Sequence, residues 1–497
     1  MRYSLCSILL VVGTVMGGCV DPAPFALEVV EPCNQAPLAE ADQISVRARE
    51  LDTGETWSST FSASSESGEL PEIPIGSRVA FDVSLLKEGE VYAWAEAKPF
   101  EMSAETSVSP QLQPSRVGAF TQPHAPDLAD TCAGYETPRV GAHLLSLNDG
   151  DVLHIGGYNL GEQLNFVRGV ERWSARDNSI EAVGNLAFPR VDDSATQLND
   201  GSWILSGGRS ENVQGATGAR ETTHFTLALH ISAIGQIDDT PGVLTTGRSG
   251  HSAMLLDDGR IWLLGGRGNL GGIVETEIYN PSTKTSESGP SLSIERWNAG
   301  IIRLSNDTAV LVGGENESGV LGSIEVVKTN ESTGTISAIG LSEARTRPII
   351  AQDGTTYWVV GGGLVPGDDF NLGQGSTAID VLERGGDGFE QLCGDTALAL
   401  ADGRFLASSL QDEDALYLAG GLDENGVLLK SFTRVPFSDL RDCLPTVGED
   451  LTILKEARAY SGAVVLDSGA MMFGGGFSRQ NGTPSTSALV EIYRSAR

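Results

Sequence analysis

The chain has 497 residues, 20% of them charged, and a formal net charge of −33. So negative a surface opposes nucleic acid and unassisted adhesion to anionic lipid, and suits a protein kept soluble by charge. Beyond its first residues, no segment is long and apolar enough to be a transmembrane helix.

In chain order, residues 1–18 read as an export signal. Arg2 supplies the charged start, residues 5–15 the apolar run, and Met16, Gly17 and Gly18 a small-residue exit. That run is too short to span a bilayer. Cys19 follows directly, and MGGC resembles the lipobox of bacterial lipoproteins. The resemblance implies a lipid anchor on Cys19, stable when two or three acyl chains are attached. Val20, rather than Asp, after the cysteine points to the outer membrane of a bacterium, with the side faced left open. A plain signal peptide cut elsewhere is the alternative.

Residues 26–113 form a separate unit. ISVRAREL (44–51), TWSSTFSA (56–63), RVAFDVSLL (78–86) and VYAWAEAKPFEM (91–102) alternate apolar and polar residues, separated by the turn signals DTG, ESG and KEG. With no helical period, this predicts a small β-sandwich, similar in pattern to the transthyretin-like or Ig-like modules ahead of binding domains in exported bacterial proteins. Residues 114–138 read as a linker containing one strand, around 117–122.

Residues 139–497 repeat one plan seven times. Diglycines fall at 156–157, 207–208, 265–266, 313–314, 361–362, 420–421 and 474–475. An arginine precedes each by 16 or 17 residues: Arg139, Arg190, Arg248, Arg296, Arg345, Arg404 and Arg458. Gly is abundant, at 61 of 497, but seven pairs at nearly constant offset are not a product of composition. Between arginine and diglycine lie two apolar runs joined by NDG, DDG or DSG, whose residues accept positive φ in a tight hairpin. A polar loop follows the diglycine, then a third run (VERW 170–173, TEIY 276–279, SIEVV 323–327) and a weaker fourth (TISAIG 335–340). Four antiparallel strands per unit of about 50 residues predict a seven-bladed propeller. ALADGRFLASS (399–409) imitates the first hairpin, and only Arg404 restores the spacing to Gly420.

These residues carry a resemblance to the Kelch-repeat family, closest in Glu277, Ile278, Tyr279, Asn280 and Pro281. It spans about residues 115–497 and departs from the family by lacking the fourth-strand tryptophan and by an irregular third strand at 223–231. The expected fold is all-β: a seven-bladed Kelch-type β-propeller preceded by a small β-sandwich. The last unit ends at its third strand (489–493), so the strand in the linker is expected to complete it and remove an open edge.

Four cysteines remain after Cys6 and Cys19: Cys33, Cys132, Cys393 and Cys443. They allow three pairings, and proximity favours Cys393 with Cys443 and Cys33 with Cys132. Metal binding is not expected, because the cysteines have no CxxC spacing and no histidine clusters with them. Kelch propellers resembling galactose oxidase hold copper with two histidines and two tyrosines, one tyrosine crosslinked to cysteine. Here His143, His154, His224, His230 and His251 show no ligand spacing, and two disulfides would leave no thiol. A sugar-processing enzyme would need converging carboxylates, whereas Asp149, Asp151, Asp257, Asp258 and Asp402 sit in hairpin turns. No cofactor is expected. The preferred reading is a monomeric binding protein whose long loops take a protein or glycan at the cell envelope. Arginines, diglycines and loops should share one face and the NDG-type turns the other. Each blade arginine is expected to satisfy carbonyls and a carboxylate between adjacent blades, with an anion-collecting mouth as the alternative.

Overall fold

The computed structural model describes residues 8–12 and 26–495, apart from residues 31, 34, 66–68, 71–72, 75, 98, 103–110, 124–131, 133, 161–163, 177, 215–218, 239, 367–372, 386–387 and 394–396. Cys19 and the exit residues Met16, Gly17 and Gly18 lie outside them. Within the expected signal, Ile8–Val12 pairs antiparallel with Ala26–Val29.

The first unit is a sandwich of two sheets. One runs Ser115–Arg116, Glu90–Glu96, Arg78–Lys87, Gln43–Glu50, Thr56–Ser62, and the other Glu69–Leu70, Ile8–Val12, Ala26–Val29, Gln111–Leu112. Alternation places Ile44, Val46 and Ala48 inward, where they pack with Phe81, Val83, Leu85 and, from the other sheet, Leu27, Val29 and Leu112.

Seven blades follow, six of them four-stranded and antiparallel and the fifth enlarged to a six-stranded sheet. The third is the simplest: Ser252–Leu255, Ile261–Leu264, Glu277–Asn280 and Thr285–Ser288. First strands of successive blades pack side by side around a central axis, and apolar second and third strands fill the space between blades. In the fifth blade the third strand, Ala378–Gly385, carries both Gly388–Gln391 and Leu398–Leu400. The latter pairs with Thr446–Val447 from the sixth unit, and the Cys393–Cys443 disulfide joins the same two outer edges.

The seventh blade has three strands of its own, Gly462–Val465, Met471–Gly474 and Val490–Tyr493. Its fourth is Phe120–Thr121, with Phe120 opposite Tyr493 and Thr121 opposite Ile492. The chain thus passes from the sandwich sheet at Ser115–Arg116 directly into the ring, so these two residues of the expected linker belong to the sandwich. Cys33 donates its N–H to the Gln122 carbonyl (3.1 Å) and is disulfide-bonded to Cys132, which fastens the chain that follows the closing strand to the sandwich.

One diglycine differs from its expected position. In the GGG run of the seventh blade, Gly475 and Gly476 have φ of 68° and 110°, matching Gly265 and Gly266 at 64° and 102°. The pair is therefore 475–476. The reason these positions need glycine is a close approach. A Cβ on Gly265 would lie 2.5 Å from the Arg296 carbonyl oxygen of the next blade, and one on Gly475 would lie 2.6 Å from that of Arg139.

Candidate functional site

Two circles surround the axis on the diglycine face. In the first, the second glycine of each pair donates its N–H to the carbonyl of the next blade's arginine. The seven bonds, from Gly157 to Arg190 through Gly476 to Arg139, span 2.7–2.9 Å and close the ring. All seven blade arginines are buried. Each guanidinium turns back into its own blade: Arg248 donates to the Gly265 carbonyl (2.7 Å) and to Glu277 (2.5 Å), and Arg296 to the Gly313 carbonyl (2.9 Å) and Glu325 (3.1 Å). Arg139 with Glu171, Arg345 with Asp380, and Arg458 with Glu491 repeat the pair. The expectation of guanidinium contacts between blades is thus corrected, because the arginine's main chain bridges blades while its side chain braces one. Burial lowers the pKa of these arginines, that of Arg345 to about 10. No blade arginine lines the mouth cavity described below.

The second circle lies two residues after each blade arginine: Gly141, Asp192, Gly250, Asn298, Arg347, Leu406 and Tyr460. All have φ between 46° and 65°. Five backbone bonds link neighbours in this circle, such as Asn298 N–H to Gly250 carbonyl (2.7 Å) and Tyr460 N–H to Leu406 carbonyl (2.7 Å). Gly, Asn and Asp tolerate this left-handed conformation, whereas Arg347, Leu406 and Tyr460 hold it at a cost of about 1 kcal/mol or more each. The backbone is common to every blade and the side chain is not.

Those side chains meet over the axis. Arg347 donates to Asp192 Oδ1 (2.8 Å) and to the Tyr460 hydroxyl oxygen (3.1 Å), while the Tyr460 hydroxyl donates to Asp192 Oδ1 (2.8 Å). Arg209 holds the other oxygen of Asp192 at 2.9 Å. Burial alone would raise Asp192, but Arg347 and Arg209 overcome it and hold the carboxyl well below the usual range. Above this network opens a cavity of about 430 Å³ with walls from all seven blades, including Tyr158, His224, Arg267, Trp297, Glu315, Phe405 and Tyr460. Burial raises the Glu315 carboxyl, which accepts a bond from Asn298 Nδ2 (2.6 Å). Burial, then the fields of Arg209 and Arg267, bring His224 down to about 4, so its ring is neutral.

The opposite face is covered in part. Sandwich residues Arg49, Ala95, Pro99 and Leu112 close a cavity of about 220 Å³ against Gly150, Trp173, Asp467 and Ser468. Asp467 and Ser468 belong to an NDG-type turn, as does Gly150. Trp94 donates to the Ser495 carbonyl (3.2 Å), and Arg494 stacks on its ring.

No family model matches this sequence, and neither does any curated protein. Among solved structures the chain is similar to a fungal alcohol oxidase of the AA5 family in complex with copper. That match has 15% identity and a TM-score of 0.54, over 73% of this chain and 75% of that one. It is also similar to YjhT, with 13% identity and a TM-score of 0.44 over 61% of this chain and 96% of that one. The oxidase likeness shows the fold alone. The mouth here offers one histidine, His224, and two tyrosines, Tyr158 and Tyr460, the second bonded to Asp192. Cys33, Cys132, Cys393 and Cys443 are paired in disulfides as Cys33–Cys132 and Cys393–Cys443. That donor set does not fit a copper centre of two histidines and a cysteine-linked tyrosine. Among the described residues no group of three His, Cys, Asp or Glu could hold a metal ion.

The other histidines are scattered. His143 contacts Asp193 (3.2 Å), His154 stacks on Tyr135 (centroids 3.7 Å apart), His251 contacts Ser206 (3.0 Å), and His230 lies opposite Ile204 within a blade. The mouth residues Asp192, Arg347 and Tyr460 were not singled out from sequence. Their signal was the place two residues after each repeating arginine, where charge and size change from blade to blade.

Proposed function

We propose that this protein is a lipid-anchored protein of a bacterial outer membrane that binds a protein or glycan partner in the mouth on the diglycine face. The observation that carries the reading is the second circle, a constant left-handed backbone that is glycine in two blades and bears five different side chains in the other five. A residue that served only the repeat would recur, as the blade arginines do. Strained Arg347 and Tyr460, joined to Asp192 over a cavity within the size range of small-ligand sites, support binding there. The sandwich covers part of the turn face, and the mouth is an open concave surface on the face opposite. The anchor on Cys19 rests on the signal and MGGC pattern, and the protein is taken to act as a monomer.

Crosslinking on intact cells tests the assignment. Wild type should capture a partner that Trp297→Ala and Asp192→Asn lose, while exposed turn variants such as Asp257→Ala retain it. Capture that survives the mouth variants and fails with turn variants would place the working face on the other side.

A further inference from the structure

We infer that the ligand of this mouth is an acidic sugar, whose carboxylate is taken by Arg267 beside Trp297. The inference rests on the reading that the mouth is the binding site and adds the chemical class of what enters.

The cavity wall carries three guanidiniums that are not blade arginines, Arg209, Arg267 and Arg347, together with three carboxylates, Asp192, Glu211 and Glu315. They are not equivalent. Arg347 spends its donors on Asp192 and Tyr460, and Arg209 bonds Asp192 and Glu211 (3.1 Å). Both brace the floor. Arg267 lies at the rim with its side chain half exposed, and its ion pair is with Glu317 at 3.4 Å, itself 56% exposed. Such a pair is worth little in water and is readily exchanged for a ligand carboxylate.

The guanidinium of Arg267 lies over the Trp297 ring, 5.2 Å from its centroid. The contact holds the group against the ring, and a guanidinium's planar fork of donors suits a bidentate carboxylate. The fields of Arg267 and Arg209 also converge on His224, and depress it after burial has done so.

The rest of the wall is mixed, with Tyr158, Phe405 and Leu406 offering apolar surface beside polar side chains. Ser249, Asn269, Asn298 and Glu315 offer both donors and acceptors around the same cavity. A polyhydroxylated ring carrying one carboxylate satisfies both halves.

The test is calorimetric titration of the purified protein with D-glucuronate and trigalacturonate, against D-glucose, maltotriose and inorganic phosphate. The acidic sugars should bind at least about tenfold more tightly than their neutral counterparts and than phosphate. Arg267→Ala should lose about tenfold for the acidic sugars alone, Arg267→Lys should recover only part, and thermal melting of both should match wild type. Neutral sugars binding as tightly as acidic ones would overturn the inference and leave the mouth as the site. Phosphate binding equally well would overturn the sugar assignment, and unchanged affinity in Arg267→Ala would overturn the role of that residue. If no sugar binds while mouth variants still abolish capture on cells, the inference fails and the binding face stands.

Discussion

At the scale of single residues, the blade arginines separate two kinds of buried charge. In five blades the residue opposite the second position before the diglycine is acidic: Glu171, Glu277, Glu325, Asp380 and Glu491. The sixth has Thr433, which relays Arg404 to Asp450. The second has Leu229, so Arg190 has carbonyl bonds to Leu205 and Gly207, a place over the Phe225 ring and the field of the buried Asp193, but no cross-strand carboxylate. Removing Arg296 strands a buried Glu325, and Arg296→Ala should cost about 3–5 kcal/mol. Arg190→Met removes a buried charge with no carboxylate opposite, and should change stability by no more than about 1 kcal/mol, in either direction. Denaturant unfolding of both variants gives the comparison, and equal losses would mean that the carbonyl bonds, not the ion pairs, dominate. Buried histidines set a pH dependence. Burial lowers His154 to about 4 and His251 to about 3, from an ordinary 6.5. The unfolded chain therefore takes up protons first as pH falls below 6.5, and stability is lost progressively down to about pH 3, by several kcal/mol in all. His154→Gln should flatten the slope of stability against pH between 4 and 6.5, whatever it does at neutral pH.

At the scale of elements, the closing strand has the largest leverage. Phe120 packs edge-on against Phe432 (5.0 Å) and Phe473 (5.8 Å) and lies against Tyr493 (5.6 Å), so two residues of pairing insert a ring into the junction of the sixth and seventh blades. Phe120→Ala should destabilise the propeller by about 3 kcal/mol, and deletion of residues 114–124 should abolish its single cooperative transition. An unchanged midpoint and slope in the deletion would show that the ring does not depend on this strand. The run GAFTQ gives only a weak strand signal on its own. What pointed to it was the missing fourth strand at the other end of the chain, which is a property of the repeat.

At the scale of the molecule, the sandwich, the closing strand and the ring are one connected path, joined also by Trp94 to Ser495 and by the Cys33–Cys132 disulfide. Export and anchoring are read from residues 1–19, of which Ile8–Val12 also pairs with Ala26–Val29 in the sandwich, and are tested separately from the propeller. Cys19→Ser should leave a protein that partitions into the aqueous phase of a detergent separation, while wild type enters the detergent phase. If the two partition alike, the lipid anchor is wrong and the propeller argument is untouched.

Seven blades, their hairpins and the glycine pairs were legible because each depends on contacts between neighbours in sequence: alternation, turn chemistry and a constant offset. The shift to Gly475–Gly476 was not, since a run of three glycines leaves the register to the approach of Arg139 from the far end of the chain. The mouth was not legible either. Arg347 lies 155 residues from Asp192, and Tyr460 lies 268 from it. Only closure of the ring brings these side chains together over one axis, and only there does a position that varies between repeats become a set of groups facing a common cavity.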